Sequence, residues 1–365
     1  MKTIRKKFIS RLDQPLIVSV LAISAIGVST IYSATHQSLQ ASVSGYPARQ
    51  MIWMLLGLSL MVTVLFVDTK TIRKISPYLY PPLILILIGV LLFGKTSLGA
   101  KRWFALGPLT VQPSEFAKIV VIMALASYLS ARKTTVRYFS TVIISLLIVA
   151  VPTLLVMKQP DLGTAMTFLP IFLVMVLAAG ARVGHLVALC AAGLSAAPAL
   201  WFMLKDYQKS RIMTFLNPES DPLGSGYSII QSKIAVGSGE LLGKGWMKGT
   251  QTQLNFLPEQ YTDFIFSAIG EEWGFVGAVL LILLFAVIIA RGIRIAWKAN
   301  DDFGYLLAVG IVALISFHVF VNIGMAIGFL PVTGLPLPFV TYGGSSILAM
   351  MLSVGLLLNI RVWRD

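Results

Sequence analysis

SAIGEEWGFVGAVLLILLFAVIIA, residues 267 to 290, runs from Phe275 to Ala290 without a charged side chain. At 1.5 Å per residue, a helix of that length crosses a hydrocarbon core of about 30 Å. Working outward in both directions, similar windows occur at 15 to 34, 49 to 67, 77 to 94, 114 to 131, 139 to 157, 163 to 181, 184 to 204, 304 to 327 and 341 to 360. The 365 residues are 57% apolar and 12% charged, with a mean hydropathy of +0.84. A water-facing surface needs about a quarter of the residues charged, which excludes an ordinary soluble enzyme. The expected fold is therefore all-α: a polytopic membrane protein with about ten transmembrane helices, forming a single domain over 1–365.

Lys and Arg outnumber Asp and Glu by 29 to 15. No basic run is interleaved with aromatics densely enough to build a nucleic-acid groove. The excess instead orients the chain. One set of connections, including both termini, carries 17 basic residues, and the opposite set carries five outside the long segment 205–266. The positive-inside rule then places both termini in the cytoplasm and 205–266 outside, as a large extracytoplasmic loop between the seventh and eighth spans. The N-terminal stretch with Lys2, Arg5, Lys6 and Lys7 lacks an obvious cleavage site and reads as leading into a retained first span. In the long loop, six basic and six acidic residues balance, and YSIIQSKIAVGSGELLGKGW suits a half-buried or re-entrant helix pair. The single cysteine, Cys190, rules out an internal disulfide, and His36, His185 and His318 are too scattered for a zinc site.

Three polar clusters fall on the outer side of this topology. In KRWFALGPLTVQPSEFAK, residues 101–118, Glu115 and Lys118 are three apart on one helix face. They form either an internal ion pair with Ser114 as N-cap, or the lining of a polar cavity, or both. Arg102 could grip an anion, and Trp103 is either a contact for substrate or an ordinary interfacial aromatic. In KQPDLGT, residues 158–164, Asp161 either caps the following helix or faces the same cavity. In FLPEQYTDFIFSAIGEEWG, residues 256–274, Asp263 stands at a membrane mouth with Glu259 four residues earlier and Glu271 and Glu272 two turns later. A carboxylate there, beside Phe264 and Phe266, is placed to have a raised pKa and act as a base, although a helix cap by Thr262 or Asp263 explains it equally well. The Gly- and Pro-rich stretch TGLPLPFVTYGGSS is a broken segment that brings Tyr342 and Ser345 toward the same cavity. Asp301 and Asp302, near Arg294 and Lys298, read as solvated boundary residues.

On these motifs the chain resembles the SEDS family of bacterial shape, elongation, division and sporulation proteins. The likeness runs through KRWFALGPLTVQPSEFAK, QPDLGT, NPESDPLGSGYSIIQSKIAVGSG, GKGWMKGTQTQLNFLPEQYTDFIF, GEEWG and VNIGMAIGFLPVTGLPLPFVTYGGSS, and so covers essentially the whole sequence. DYQKSRIMTFLNPESDPLGSGY looks more like the elongation member than the division member. The resemblance implies a ten-span peptidoglycan glycosyltransferase of the cell inner membrane that polymerises lipid II outside the membrane. It also implies a class B penicillin-binding transpeptidase and other elongation-complex membrane proteins as partners. Asp263 matches the essential aspartate of the family's PE-x-H-T-D-F motif, and Tyr261 stands where the family commonly has His.

The chemistry implied is attack by the 4-hydroxyl of lipid II on C1 of a glycan linked to undecaprenyl diphosphate, with Asp263 as general base. Arg102, Lys118, Arg211 and Lys233 are the cations available to the diphosphate, with Trp103, Glu115, Asp161, Glu259, Tyr342 and Ser345 as further substrate contacts. A divalent cation, Mg or Mn, held by the diphosphate and one carboxylate is compatible with this chemistry, and no protein-only metal site is expected. Two rival readings remain at this stage. A lipid II flippase would need paired broken helices and gating groups at both faces, and a noncatalytic transpeptidase scaffold would leave the outer ionisable cluster without a purpose.

Overall fold

The computed structural model describes residues 11–36, 45–97, 100–106, 109–203, 206–222, 224 and 226–364. Lys2, Arg5, Lys6, Lys7 and Lys205 lie outside the described residues. The chain is an integral membrane protein. Among the described residues, eight helical spans are long and apolar enough to cross a membrane. They are α1 (Gln14–His36), α2 (Tyr46–Leu65), the span Thr69–Phe93 built from α3 (Thr69–Ile75), a 3-10 turn and α4 (Tyr80–Phe93), α5 (Pro113–Ser130), α6 (Phe139–Lys158), α12 (Ile265–Trp297), α13 (Asp302–Ala326) and α14 (Gly344–Val362). Two further apolar helices, α7 (Leu162–Ala178) and α8 (Val183–Met203), stand where the sixth and seventh spans are expected.

The spans divide by how uniformly apolar they are. The α4 stretch LILILIGVLLF has no polar side chain, and its span is only 22% buried. By contrast α5, α13 and α14 carry Glu115, Lys118, His318, Asn322, Ser353 and Asn359, and are 72%, 67% and 78% buried. Polar groups cannot face lipid without loss of hydrogen bonds, so the helices that carry them are packed centrally while the uniformly apolar ones form the shell.

KRWFALGPLTV adds something the all-α expectation left out. β1 (Lys95–Ser97), β2 (Ala100–Leu106) and β3 (Leu109–Val111) form a small antiparallel meander between α4 and α5, with Lys95 opposite Trp103 and Phe104 opposite Val111. Side chains alternate along a strand. Arg102 and Phe104 therefore share one face of β2, from which Arg102 reaches the α6–α7 turn and Phe104 meets α4, while Trp103, half-buried, lies on the other face.

The long loop folds as α9 (Asp206–Leu216), a 3-10 turn, α10 (Tyr227–Ser238) and the short α11 (Thr250–Gln253). The stretch 227–246, expected as a helix pair, forms the single helix α10 followed by turns, because Gly239, Gly243 and Gly245 break its second half. Its anchor is a break in α12. Gly274 has φ 65° and ψ −163°, which ends one helical run and starts another. The groups freed by the break are met by loop backbone: Lys244 and Gly245 donate to the carbonyls of Glu271 and Glu272, while Phe275 and Val276 donate to Glu240 and Leu241. The non-helical backbone at the break survives because the loop supplies partners to these four groups. The Glu271 carboxylate completes the stitch, accepting from the backbone N–H groups of Gln251 and Thr252 and pairing with Lys244 at 2.8 Å. Glu272 accepts from Ser33 of α1. The carboxylates of these two acids are thus engaged in fastening the loop and α1 to α12.

Candidate active site around Asp263

Asp263 lies on the turn that precedes α12, partly exposed, and its backbone is clamped from one side by the 333–342 strip. Asn322 of α13 donates through Nδ2 to the carbonyls of Asp263 at 3.1 Å and Leu335 at 2.9 Å. Thr341 donates to the carbonyl of Thr262 at 3.2 Å and accepts from the N–H of Leu337 at 2.8 Å. The N–H of Tyr342 donates to the carbonyl of Tyr261 at 3.1 Å. Prolines 331, 336 and 338 prevent that strip from becoming a helix, and its unpaired backbone groups become the fixings of the Asp263 turn. The helix N-cap is Phe264, with no side-chain cap, so neither Thr262 nor Asp263 serves in that role. The Asp263 carboxylate is left free for other work.

Burial and the nearby Glu259 carboxylate push Asp263 up to about 6, while the charges of Arg211 and Arg102 pull it down. Desolvation and like charge both disfavour the ionised acid, and the two cations limit the rise. Glu259 is exposed, sits in the left-handed region at φ 51°, and accepts from Thr262 Oγ1 at 2.7 Å. Tyr261 is pushed up to about 12 by burial and Glu259, so its hydroxyl stays protonated at any physiological pH. It belongs to an aromatic cluster with Tyr46 and Tyr342, the latter two stacked at 4.2 Å. Arg49 hydrogen-bonds the Tyr342 hydroxyl.

The other two sequence clusters meet this turn through close backbone packing. A Cβ at Gly163 would lie 2.3 Å from the Thr333 carbonyl, so only glycine lets α7 approach the strip there. On the next residue, a Cβ at Gly334 would lie 3.6 Å from Asp263 Oδ2. The start of α7 is thus seated against the same rim as the Asp263 carboxylate. Asp161 both caps α7, accepting from Thr164 N–H at 3.3 Å, and pairs with Arg102 at 3.7 Å. Gln112 and Ser114 donate to its Oδ2 at 3.0 and 3.5 Å. The N-cap of α5 is Gln112, so Ser114 is a partner of Asp161 and not the cap expected from its position.

Glu115 and Lys118 do form the anticipated pair, at 2.8 Å and fully buried. Lys118 is also 3.2 Å from His318 Nε2, whose Nδ1 is 3.1 Å from the Pro336 carbonyl. An ammonium has donors only, so Nε2 accepts and the ring proton sits on Nδ1, where it serves Pro336. Lys118 is therefore enclosed behind the strip and supports it, away from the open rim. Ser345 is likewise buried, accepting from Gln112 N–H at 2.9 Å and tying α14 to α5. Lys233 is exposed on α10 and lies over Gly328. Arg102, Asp161, Glu259, Tyr342 and Asp263 thus gather at one rim, whereas Lys118 and Ser345 are buried and do not open onto it. Sequence reasoning missed His318 and Asn322. The available signal was two polar side chains four residues apart in an otherwise apolar span, hence on one helix face.

The comparisons with known proteins agree with one another. The family model described as "Cell cycle protein", FtsW/RodA/SpoVE, matches residues 13–365. The peptidoglycan glycosyltransferase MrdB of Escherichia coli K12 is 42% identical over 357 residues, spanning 97% of this chain and 94% of MrdB. A solved chain described under structural coordination of polymerization and crosslinking by a peptidoglycan synthase complex is 32% identical, with a TM-score of 0.82 over 97% of this chain and 99% of its own. The rod shape determining protein RodA of Thermus thermophilus gives 30% identity and a TM-score of 0.71 over 97% of both chains. The motifs, the clamped aspartate and the end-to-end match lead to one conclusion: this chain belongs to the FtsW/RodA/SpoVE family of cell cycle proteins.

Proposed function

We propose that the chain is a peptidoglycan glycosyltransferase that polymerises lipid II during cell elongation, with Asp263 as its general base. The 4-hydroxyl of the incoming lipid II attacks C1 of the glycan on undecaprenyl diphosphate. The new C1–O4 bond forms as the C1–O bond to the diphosphate breaks, the hydroxyl proton passes to Asp263, and the lipid diphosphate leaves unprotonated. The observation that carries this reading is the Asp263 carboxylate itself. It is partly exposed, free of a capping role, held through its backbone, and raised to about 6, where a base is mostly ionised at neutral pH yet still proton-seeking.

Arg102 and Arg211 are the cations whose charge reaches Asp263, and they neutralise the leaving diphosphate. Lys233 lies farther along the same loop, as a contact for the lipid-linked saccharide. Asp161, in turn, orients Arg102, and Lys118 with Glu115 and His318 stiffens the strip that holds the catalytic turn. Among the described residues no three His, Cys, Asp or Glu side chains gather into a metal site. A divalent cation, Mg or Mn, would have to arrive with the diphosphate, and the exposed Glu259 is the carboxylate that fits it. Its contribution would be to neutralise phosphate charge.

The 17-to-five distribution of basic residues supports the inner membrane as location, with both termini cytoplasmic and Asp263 outside. A class B penicillin-binding transpeptidase and other elongation-complex membrane proteins are the proposed partners, in keeping with the synthase complex that this chain resembles. The test is purified protein with labelled lipid II, read on a gel for glycan strands. Polymer is the expected result. Lipid II moved across a vesicle membrane without polymer would identify a flippase, and neither product in the presence of the partner would leave only a scaffold.

A further inference from the structure

The end of the bundle opposite Asp263 holds adjacent cavities of contrasting charge, two of which are informative. One, lined by Arg73, Lys133, Asp301 and Asp302, is internally neutral, since Arg73 pairs with Asp301 at 3.5 Å and Lys133 with Asp302 at 2.9 Å. The other, about 410 Å3, lies where α12 and α14 end and α1 begins, and contains six cations against the single carboxylate of Asp13. That carboxylate is consumed: Arg291 grips it in a bidentate pair and Arg361 closes on it as well. Arg11 turns instead to the carbonyls of Val362 and Arg364, at 3.1 and 2.6 Å. Arg294, Lys298 and Arg364 are then left facing the cavity with no carboxylate partner among the described residues.

A general surplus of basic residues on one membrane side would not separate two adjacent cavities in this way. Like charges facing one another across a concave wall repel, and an anion between them removes the penalty. The cavity has room for on the order of ten waters at ~30 Å3 each, more than a lone inorganic ion needs. Its wall includes Ile295, it opens at the ends of membrane-spanning helices, and guanidinium groups match phosphate oxygens in pairs. Basic pockets between spans at a membrane surface take anionic lipid headgroups. We propose that this cavity is a binding site for a phosphodiester anion, supplied by the headgroup of an anionic phospholipid in the leaflet at that end. The site is separated from Asp263 by nearly the length of α12 and is independent of the glycosyl-transfer reading.

The test uses the full chain in detergent, titrated with phosphatidylglycerol or phosphatidylcholine and read by native mass spectrometry. The wild type should retain phosphatidylglycerol saturably and phosphatidylcholine poorly. A triple variant, Arg294→Ser with Lys298→Ser and Arg364→Ser, leaves the Asp13 pairs intact and should weaken binding by about fivefold per cation, on the order of a hundredfold in all. Arg294→Lys with Arg364→Lys keeps the charge and should retain most of the binding, which guards against a triple variant that fails to fold. Equal retention of the two lipids by wild type, or wild-type binding by a folded triple variant, overturns the proposal. Displacement of phosphatidylglycerol by inorganic phosphate at millimolar concentration supports the phosphate site and assigns its source to a soluble anion. Tighter binding of polyglutamate than of phosphatidylglycerol overturns it in favour of an acidic protein segment.

Discussion

Asp13 and Asp263 sit at opposite ends of the bundle, each just before a membrane helix and each near two arginines. Asp13 is buried and saturated: it accepts from the N–H of Leu16 and is locked by Arg291 and Arg361. Asp263 has its backbone pinned by Asn322 while its carboxylate faces the open rim, with Arg102 and Arg211 close enough to be felt and Glu259 opposing them. Similar partners therefore produce different roles. A carboxylate whose lone pairs are filled by guanidinium groups joins three helix ends, whereas one held only through its main chain keeps its side chain available for a proton.

The sharpest way to break this comparison is the same substitution at both positions. Asp263→Asn should lower polymerisation by about a hundredfold to ten-thousandfold, the usual range for removing a general base, with the melting temperature unchanged. Asp13→Asn should do the reverse, preserving turnover per folded molecule while costing about 2 kcal/mol of stability. That is less than the 3–5 of a fully buried pair because both arginines keep a route to water. Substantial polymer from Asp263→Asn in a lipid II assay would remove Asp263 from the centre.

The buried pair behind the strip offers a second contrast. Lys118→Ala leaves Glu115 as an uncompensated buried charge and should cost about 3–5 kcal/mol, most of it recovered when Glu115→Gln is added. Additive losses in that double-mutant cycle, followed by thermal melting, would show that the two residues do not act as a unit. A smaller effect is expected in the pH profile. The rate should fall as pH drops through about 6, where Asp263 takes up its proton. Glu259 raises that value and Arg102 lowers it, so Glu259→Gln should move the midpoint down and Arg102→Gln should move it up. A profile that ignores both substitutions would assign the titration to another group. Smallest of all, Tyr261→His should leave turnover within about an order of magnitude, since the Tyr261 hydroxyl stays protonated and the residue packs in the aromatic cluster beside the proposed base. Complete loss of polymer would give position 261 a chemical part.

Much of this was legible before any coordinates. Long apolar windows announce membrane spans because lipid offers no partner to a backbone group, so span length is dictated locally. Asp263 was singled out as a candidate by its motif, and the Glu115–Lys118 pair was legible from a three-residue spacing that one helix turn resolves. Asp161 illustrates the limit: its capping role follows from the residue next to α7, but its bond to Arg102 depends on a strand 59 residues earlier turning Arg102 toward the α6–α7 turn.

What only the tertiary structure decided were the partnerships between helices. Lys118 meets His318 across 200 residues, Asp13 meets Arg291 across 278, and Glu271 and Glu272, which looked like companions of Asp263, instead fasten the loop across the break at Gly274. Hydrophobic length is a property of each segment alone. The partner of a charge depends on which spans become neighbours and how far each is rotated, and that is settled by packing the whole bundle at once.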